Sequence, residues 1–284
     1  MTRSQELGTA CPAGKVVIKF GGSSIDSMEQ IDHFASQIAE LVRSGLTPVV
    51  LHGGGPEISE EMKREGLPVK KVAGHRITDD VALQIAKSVL SRINDQVVVS
   101  MRKAGLKSIG LAGSEVNTLV AKRMEPLSID GPEGPQRVDL GYVGEVVKVD
   151  RKAIDILCQN GIVPVVYAIC ADENGQFLNV NADTAAAALA VGIGASDMML
   201  VTEVPGVLRV LEDLSSTIPE IRQGDLGPLT SSGILKDGMI PKVNACFLAL
   251  RGGVRVAHII CGTMPNSIVE QLFSGRNLGT RLTL

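Results

Sequence analysis

Short β-branched segments alternate with amphipathic segments along most of the chain, and this alternation limits the possible folds more than any other feature. Apolar runs at 15–20, 47–52 and 198–202 have the length and composition of buried strands. Between them, apolar residues recur every three or four positions, as at Ile31 and Phe34, which predicts helices. Strands of this kind are typical of a mostly parallel sheet covered by helices on both faces. We therefore predict an α/β fold, a three-layer αβα sandwich with a mostly parallel central sheet.

Several other segments give more specific expectations. The pattern from 80 to about 103 predicts one long helix, and the alternation at 138–149 predicts a β-hairpin. Asn174-Gly175 is a hairpin turn signal, and Asp183 is expected to open an alanine-rich helix. The polar, poorly periodic stretch at 212–237 is interpreted as a mobile flap or connection rather than a domain boundary.

The composition excludes several classes of protein. A chain of 284 residues is long enough for one large domain or two fused lobes. Its net charge of −3 and its few aromatic residues (two Tyr, five Phe, no Trp) argue against nucleic acid as a partner. Neither a signal peptide nor an apolar run of about 18 residues is present, and the five cysteines are scattered without metal-binding spacing. We expect a reduced, cytoplasmic protein without a membrane or zinc site.

Two predicted strands end in glycine and lead directly into helices. Lys19 precedes Gly21 and Gly22, and His52 precedes three glycines at 53–55. Glycine lets backbone N–H groups approach an anion, and a helix N-terminus adds partial positive charge. Either segment alone could be only a tight strand–helix turn. The pair, one of them with a lysine on its strand, favours binding of a phosphate or carboxylate.

Motif spacing excludes the common alternatives at these glycines. The chain has no G-x-x-x-x-G-K-[ST] sequence and no strand-linked G-x-G-x-x-G, which argues against a P-loop enzyme and a dinucleotide-binding fold. The HGGG sequence at 52–55 is similar to the oxyanion loop of lipases, but those enzymes also need a G-x-S-x-G turn, which this chain lacks. We therefore interpret His52 as a packed histidine at a strand end rather than a general base.

Polar residues in two later segments are candidates for the same site. Asn179 and Asn181 fall on one side if their strand continues, and Asp183 follows at the start of a helix. Lys242 comes one helical turn after Gly238 and could project toward a shared site. The alternatives, an ordinary N-cap aspartate and a surface lysine, stay open from these segments alone.

Taken together, ten segments in order closely resemble the amino acid kinase family. Three of them, NVNAD, GMIPKV and GHRITD, favour the N-acetylglutamate kinases of this family over the aspartate, glutamate-5, carbamate and UMP kinases. The ten segments are KVVIKFGGSS, VVLHGGGPEI, GHRITD, SRIND, VDLGYVGEV, GIVPVVYAI, LNVNADTAAAALA, MMLVTEVPGVL, LKDGMIPKVNA and GTRL.

This resemblance implies an activity and a domain organisation. Members of this group use ATP with Mg²⁺ to phosphorylate the side-chain carboxylate of N-acetyl-L-glutamate in arginine biosynthesis. The family fold has two lobes. In this chain residues 15–180 would bind the amino acid and form the homodimer contacts, and residues 181–284 would bind ATP. Residues 1–14 would be a tail without the N-terminal helix that builds arginine-inhibited hexamers in some relatives. We therefore expect an arginine-insensitive, cytoplasmic homodimer.

The resemblance also implies roles for individual residues. Lys19 and Lys242 would stabilise the transferring phosphoryl group, and Asp183 would orient both lysines. The residues implied to bind N-acetylglutamate are Gly54, Gly55, Arg76 and Asn179. Those implied to cradle or contact the nucleotide are Gly21, Gly22, Thr202, Glu203, Val204, Pro205, Gly206, Val207, Ile234, Leu235 and Lys236. No side chain is implied as a metal ligand, because Mg²⁺ would be carried by the phosphates of ATP.

Some segments depart from the family pattern. AGSEV at 112–116 replaces SGKDG, HIICGT at 258–263 replaces HIIDGR, and Glu203 replaces a usual aspartate. These differences leave two alternatives open: a kinase of a related acylated or carrier-linked amino acid such as aminoadipate or glutamate, and a catalytically silent amino-acid sensor. Because Lys19, Asp183 and Lys242 are all present, we favour the enzyme.

Overall fold

The computed structural model describes residues 14–21, 27–131 and 134–284. The helices in these residues are α1 (Met28–Arg43), α2 (Gly55–Arg64), α3 (Asp80–Lys103), α4 (Lys152–Gln159), α5 (Ala182–Ile193), α6 (Leu226–Ser231), α7 (Met239–Arg251) and α8 (Ser267–Phe273). The strands are β1 (Lys15–Phe20), β2 (Thr47–His52), β3 (Lys71–Val72), β4 (His75–Arg76), β5 (Lys107–Ala112), β6 (Leu119–Arg123), β7 (Leu127–Gly131), β8 (Gly134–Val138), β9 (Val143–Val149), β10 (Ile162–Tyr167), β11 (Ile169–Ala171), β12 (Phe177–Val180), β13 (Asp197–Thr202), β14 (Glu220–Arg222), β15 (Val256–Cys261) and β16 (Thr280–Thr283).

Eight of these strands form the central sheet, in the order β14-β16-β15-β13-β1-β2-β10-β5. All neighbours are parallel except β15 and β16. In the centre of the sheet Phe20 pairs with His52, so β1 and β2 end at the same edge. The loops that begin at Gly21 and Gly53 are therefore neighbours.

Alternate side chains of β1 enter two separate cores. Val16, Ile18 and Phe20 belong to a core built with α1, α3 and α8, whereas Val17 belongs to a core built with α5 and α7. This alternation is what a sheet covered by helices on both faces requires. The structure confirms the predicted three-layer αβα sandwich with a mostly parallel sheet.

Several local predictions are confirmed with their boundaries. The long helix spans Asp80–Lys103, and its N-cap Asp79 accepts a hydrogen bond from the Ala82 N–H at 2.8 Å. The turn between β11 and β12 contains Gly175 at φ 84°, a left-handed conformation that glycine adopts without strain.

The predicted hairpin at 138–149 is wrong. Val138 ends β8, which pairs with β7, whereas β9 pairs with β6 and β12 in a small closed barrel. The link between β8 and β9 instead docks on Thr78, whose carbonyl accepts the Tyr142 N–H at 2.7 Å. Gly141 has φ 74° and sits so close to the Thr78 carbonyl that a side chain would not fit. Alternating residues had indicated strands here but not their partners.

Two other expectations need correction. Asp183 does not open its helix, because the N-cap is Asn181, whose side chain accepts the N–H groups of Asp183 and Thr184. The polar stretch at 212–237 is more than a connection, since it contains α6 and the edge strand β14. Ile221 of β14 is fully buried, so a single apolar side chain fixes this short strand to the sheet.

The expected boundary between 180 and 181 lies between β12 and α5, while the central sheet continues across it through the pairing of β1 with β13. The predicted tail lies outside the described residues, apart from residue 14. No helix in the described part of the chain is long and apolar enough to cross a membrane.

Candidate active site

The main cavity has a volume of about 930 Å³ and lies between Lys19 near the end of β1, the glycines at 53–55 after β2, and the N-terminal turns of α5 and α7. Parallel strands end at this edge of the sheet, which is where ligands bind in open α/β folds. Among the residues predicted for the site, it is lined by Lys19, Gly54, Gly55, Arg76, Asn179, Asp183 and Lys242.

Lys19 and Lys242 share the carboxylate of Asp183 in this cavity. Lys19 Nζ lies 3.0 Å from Oδ1, and Lys242 Nζ donates to Oδ2 at 2.9 Å. The side chains of Lys19 and Asp183 are almost completely buried, whereas that of Lys242 is 26% exposed. The structure therefore brings these three residues together, as predicted, although they come from β1, α5 and α7.

The two ammonium groups determine the charge of Asp183. Burial alone would raise the pKa of this carboxyl, but the attraction of Lys19 and Lys242 outweighs it and holds the pKa at about 2. Asp183 is therefore fully ionised near neutral pH. Its negative charge reduces the repulsion between the two ammonium groups.

Arg76 in β4 lies at the other end of the cavity. Its Nη2 donates to the Gly55 carbonyl at 2.8 Å and to Ser59 Oγ at 2.6 Å, and its Nη1 contacts Met62 Sδ at 3.2 Å. The guanidinium is thus fixed against the start of α2. A planar guanidinium held in this way suits a site for a carboxylate ligand.

Two of the predicted glycines, Gly21 and Gly54, are closely surrounded by other groups, and of these two only Gly54 lines the main cavity. A Cβ on Gly21 would lie 3.2 Å from both Gly53 N and Lys19 Nζ, so a side chain would crowd the ammonium group. A Cβ on Gly54 would lie 2.7 Å from Ile93 Cδ1. Gly22 lies outside the described residues.

Asn179, the last candidate for the amino-acid substrate, is positioned by the small barrel. Its backbone N–H donates to the Tyr142 carbonyl at 2.9 Å, and its Nδ2 donates to Thr78 Oγ1 at 3.2 Å. Asn181 also lines the cavity, but its side-chain oxygen caps α5.

Sequence reasoning missed two charged residues of the cavity wall, Lys71 and Asp237. Lys71 pairs with Arg76 across β3 and β4, and its pKa is lowered by burial and by the nearby guanidinium. The signal that could have identified it is the Ala73-Gly74 turn, whose glycine begins GHRITD and which places Lys71 opposite Arg76. Asp237 has φ 47°, a left-handed conformation uncommon for aspartate, in the loop before α7.

A second cavity of about 260 Å³ adjoins the first, and Asp237 and Gly238 line both. Lys236 and Arg209 give its wall positive charge. Of the residues predicted to contact a nucleotide, Val204, Gly206, Val207, Ile234 and Lys236 line this second cavity.

Four other predicted nucleotide residues, Thr202, Glu203, Pro205 and Leu235, do not line this second cavity. Thr202 Oγ1 donates to the Val204 carbonyl at 2.8 Å, which shapes the loop, and Leu235 is buried in the core. The Glu203 carbonyl accepts a hydrogen bond from Cys261 Sγ at 3.2 Å. The Pro205 carbonyl lies against Gly279, since a Cβ on Gly279 would be only 2.5 Å from the carbonyl oxygen.

The described residues contain no group of three or more His, Cys, Asp or Glu side chains arranged to bind a metal ion. Asp183 is occupied by its two lysines. Nucleotide phosphates are anionic oxygen ligands of the kind that Mg²⁺ prefers.

Two adjoining cavities, the larger of them lined by Lys19 and Lys242, can hold two anions and stabilise charge that moves between them. His52 is not suited to remove a proton near neutral pH, because burial, aided by repulsion from Lys19, lowers its pKa to about 4. The chemistry of the site suits transfer of an anionic group to a nucleophile that is already ionised.

Acetylglutamate kinases are among the known proteins that are similar to this chain. The acetylglutamate kinase of Methanothrix thermoacetophila is 41% identical over 94% of this chain and 92% of its own length. That of Methanothermobacter thermautotrophicus is 38% identical over 95% and 93%. Among solved structures, N-acetylglutamate synthase from Neisseria gonorrhoeae, complexed with coenzyme A and N-acetyl-glutamate, has a TM-score of 0.81 at 20% identity. The match covers 96% of this chain and 60% of that one.

The family model described as "Amino acid kinase family" matches residues 14–261, which include both cavities and the shared carboxylate. This chain therefore belongs to the amino acid kinase family.

Proposed function

We propose that this protein uses ATP to phosphorylate the side-chain carboxylate of N-acetyl-L-glutamate, giving N-acetyl-L-glutamyl 5-phosphate for arginine biosynthesis. The observation that carries the proposal is the carboxylate of Asp183 held between Lys19 and Lys242 in the main cavity, which adjoins a second one. The names of the relatives at 38–41% identity favour the same substrate.

The reaction needs little chemistry from the protein. A carboxylate is ionised at neutral pH and can attack the γ-phosphorus directly, while the bond from that phosphorus to the bridging oxygen of ADP breaks. The difficulty is to bring two anions together and to stabilise negative charge on the transferring group. Lys19 and Lys242 supply positive charge for this purpose, and Asp183 keeps both ammonium groups directed to one place.

The substrate would lie in the main cavity. Arg76 would pair with one carboxylate of N-acetylglutamate, since its planar guanidinium can donate two parallel hydrogen bonds. Asn179 and the N–H groups of Gly54 and Gly55 would bind its remaining polar atoms. Lys71 would add positive charge beside Arg76.

ATP would lie with its base in the second cavity and its phosphates directed toward Lys19, across the wall formed by Asp237 and Gly238. Mg²⁺ would be bound by the phosphates, because the described side chains offer it no cluster of ligands. The bound ion would neutralise phosphate charge. We assign residues 15–180 to the amino acid and 181–284 to the nucleotide.

We further infer a homodimer that works in the cytoplasm and contacts its partner through the first lobe. Val81 and Val99 on α3 and Ile109 in the edge strand β5 are exposed apolar residues in that lobe. Sedimentation should give twice the mass of the chain, and a monomer would refute this part of the proposal.

The activity is tested by ADP release with N-acetylglutamate, glutamate, aspartate and aminoadipate as separate substrates. We expect rapid release with N-acetylglutamate and little with the others. Faster release with aminoadipate or a carrier-linked substrate would make the protein a related kinase. ADP release that N-acetylglutamate does not increase would instead indicate a sensor.

A further inference from the structure

His52 is completely buried at the end of β2, in the wall of the main cavity. Its Nδ1 lies 2.8 Å from the Gly53 carbonyl oxygen, and because a carbonyl only accepts, Nδ1 must carry the proton. Its Nε2 lies 3.0 Å from Asn94 Nδ2, which donates to it. The neutral imidazole protonated at Nδ1 is the form that satisfies both contacts.

Asn94 holds the other side of this imidazole. It is a buried amide on the otherwise largely apolar inner face of α3, and its Nδ2 also donates to the Val165 carbonyl of β10 at 2.9 Å. Both protons of the amide are therefore used. A chain of hydrogen bonds runs from β10 through Asn94 and His52 to the first glycine of the loop.

These contacts determine which way the next peptide group faces. The described residues contain no cis peptide bond, so the N–H of Gly54 points opposite to the Gly53 carbonyl and away from the imidazole. The Gly53 N–H is already used by the Phe20 carbonyl at 3.0 Å. Gly54 itself lines the cavity.

We propose that His52 and Asn94 are positioning residues that orient the Gly53–Gly54 peptide so that its N–H faces the anions in the cavity. If this peptide rotated, it would present a carbonyl oxygen to the anions and replace attraction with repulsion. The catalytic consequence rests on the proposed function, whereas the orientation itself does not.

Two substitutions of His52 separate this role from simple packing. His52→Asn keeps a nitrogen donor near the position of Nδ1, whereas His52→Leu fills the space without one. We expect His52→Leu to lower kcat for N-acetylglutamate-dependent ADP release by about 10²–10³-fold, as for other lost donors to a developing charge. We expect His52→Asn to keep most of the wild-type kcat, and we expect KM for ATP to be unchanged in both variants.

Gln37→Leu is the matched control for loss of a buried polar group. Gln37 lies in α1, outside both cavities, and its Oε1 accepts the Ile268 N–H at 2.9 Å. This variant should lower Tm without changing kcat. The proposal is overturned if His52→Leu keeps its kcat, or if folded His52→Asn is as slow as His52→Leu.

A second measurement does not depend on turnover. The amide resonance of Gly54 should shift when inorganic phosphate is added to the wild type and to His52→Asn, and should shift much less in His52→Leu. If the wild type shows this shift but no kinase activity, the proposed function fails and the orientation stands. Absence of the shift in the wild type refutes the orientation.

Discussion

Lys19 and Lys242 bind different oxygens of the same carboxylate, one from the central strand of the sheet and the other from the second turn of α7. Asp183 lies between the two ammonium groups and offsets their mutual repulsion. The carboxylate therefore pairs with both charges and also fixes the positions of the two cations, one at each of its oxygens. This arrangement leads to the first prediction.

Removing either lysine should slow phosphoryl transfer strongly. We expect Lys19→Ala and Lys242→Ala each to lower kcat by about 10²–10³-fold, because each removes charge stabilisation at the transferring group. In the double variant the fold-loss of kcat should be smaller than the product of the two single losses, since both lysines act through one carboxylate. Steady-state ADP release measures all three. Lys103→Ala, which removes only an exposed ion pair with Asp32, should behave as the wild type.

Arg76 should affect substrate binding more than the chemical step. In Arg76→Lys the fork that contacts Gly55 and Ser59 is lost, and an ammonium cannot pair with a carboxylate through two parallel bonds. We expect KM for N-acetylglutamate to rise about tenfold or more, with KM for ATP unchanged. Ser59→Ala keeps the guanidinium and removes one contact, so its KM should rise less. A large fall in kcat at unchanged KM would contradict this assignment.

The sequence allowed prediction of the features that depend on neighbouring residues. The strand that carries Lys19, the glycines after it and the helix Asp80–Lys103 follow from local patterns of apolar and turn residues. The convergence of Lys19, Asp183 and Lys242 came instead from the family resemblance, because no local pattern indicates that three distant elements meet.

Features that depend on tertiary partners were missed. Residues 143–149 alternate as a strand should, but alternation does not show that this strand joins the barrel rather than β8. Asp183 and Asn181 are both residue types that often form helix N-caps, and which of them caps α5 depends on where β12 ends. The role of Asn94 depends on His52 and Val165, which approach it only in the folded chain.

Stability should depend on pH through His52. Burial, reinforced by the charge of Lys19, lowers the pKa of His52 from 6.5 to about 4 in the folded protein. Between these values the unfolded chain binds a proton that the folded chain does not, so the free energy of unfolding falls as the pH decreases through this window. The complete effect is on the order of 3 kcal/mol.

Urea unfolding at pH 7, 5.5 and 4.5 measures this dependence. The decrease should be smaller in His52→Asn, which cannot bind the proton, and an equal decrease in both proteins would contradict the assignment. The ion pairs of Asp183 are not expected to contribute in this window. Its pKa is lowered from 3.8 to about 2, so its contribution is lost only as the pH falls below 3.8.

Gly110 of β5 should prove necessary for the position of Asn94. A Cβ on Gly110 would lie 1.8 Å from Asn94 Oδ1, so Gly110→Ala must displace the amide from His52 Nε2 and from the Val165 carbonyl. We expect a loss of stability of about 1–3 kcal/mol from overpacking. We also expect a lower kcat, because the imidazole would no longer be held from its far side.

Gly224→Ala is the control for this substitution, because a Cβ there meets no atom within 4 Å. It should change neither the urea midpoint nor kcat. The two readouts of Gly110→Ala distinguish packing from positioning, since crowding alone would lower the midpoint and leave kcat unchanged at a temperature where the protein stays folded. If Gly110→Ala is destabilised but turns over as the wild type, Asn94 supports the core without orienting the glycine loop. If Gly110→Ala lowers both the urea midpoint and kcat, and an equally destabilised Gln37→Leu keeps its kcat, the loss of kcat is due to the broken hydrogen-bond chain from Asn94 through His52 to Gly53.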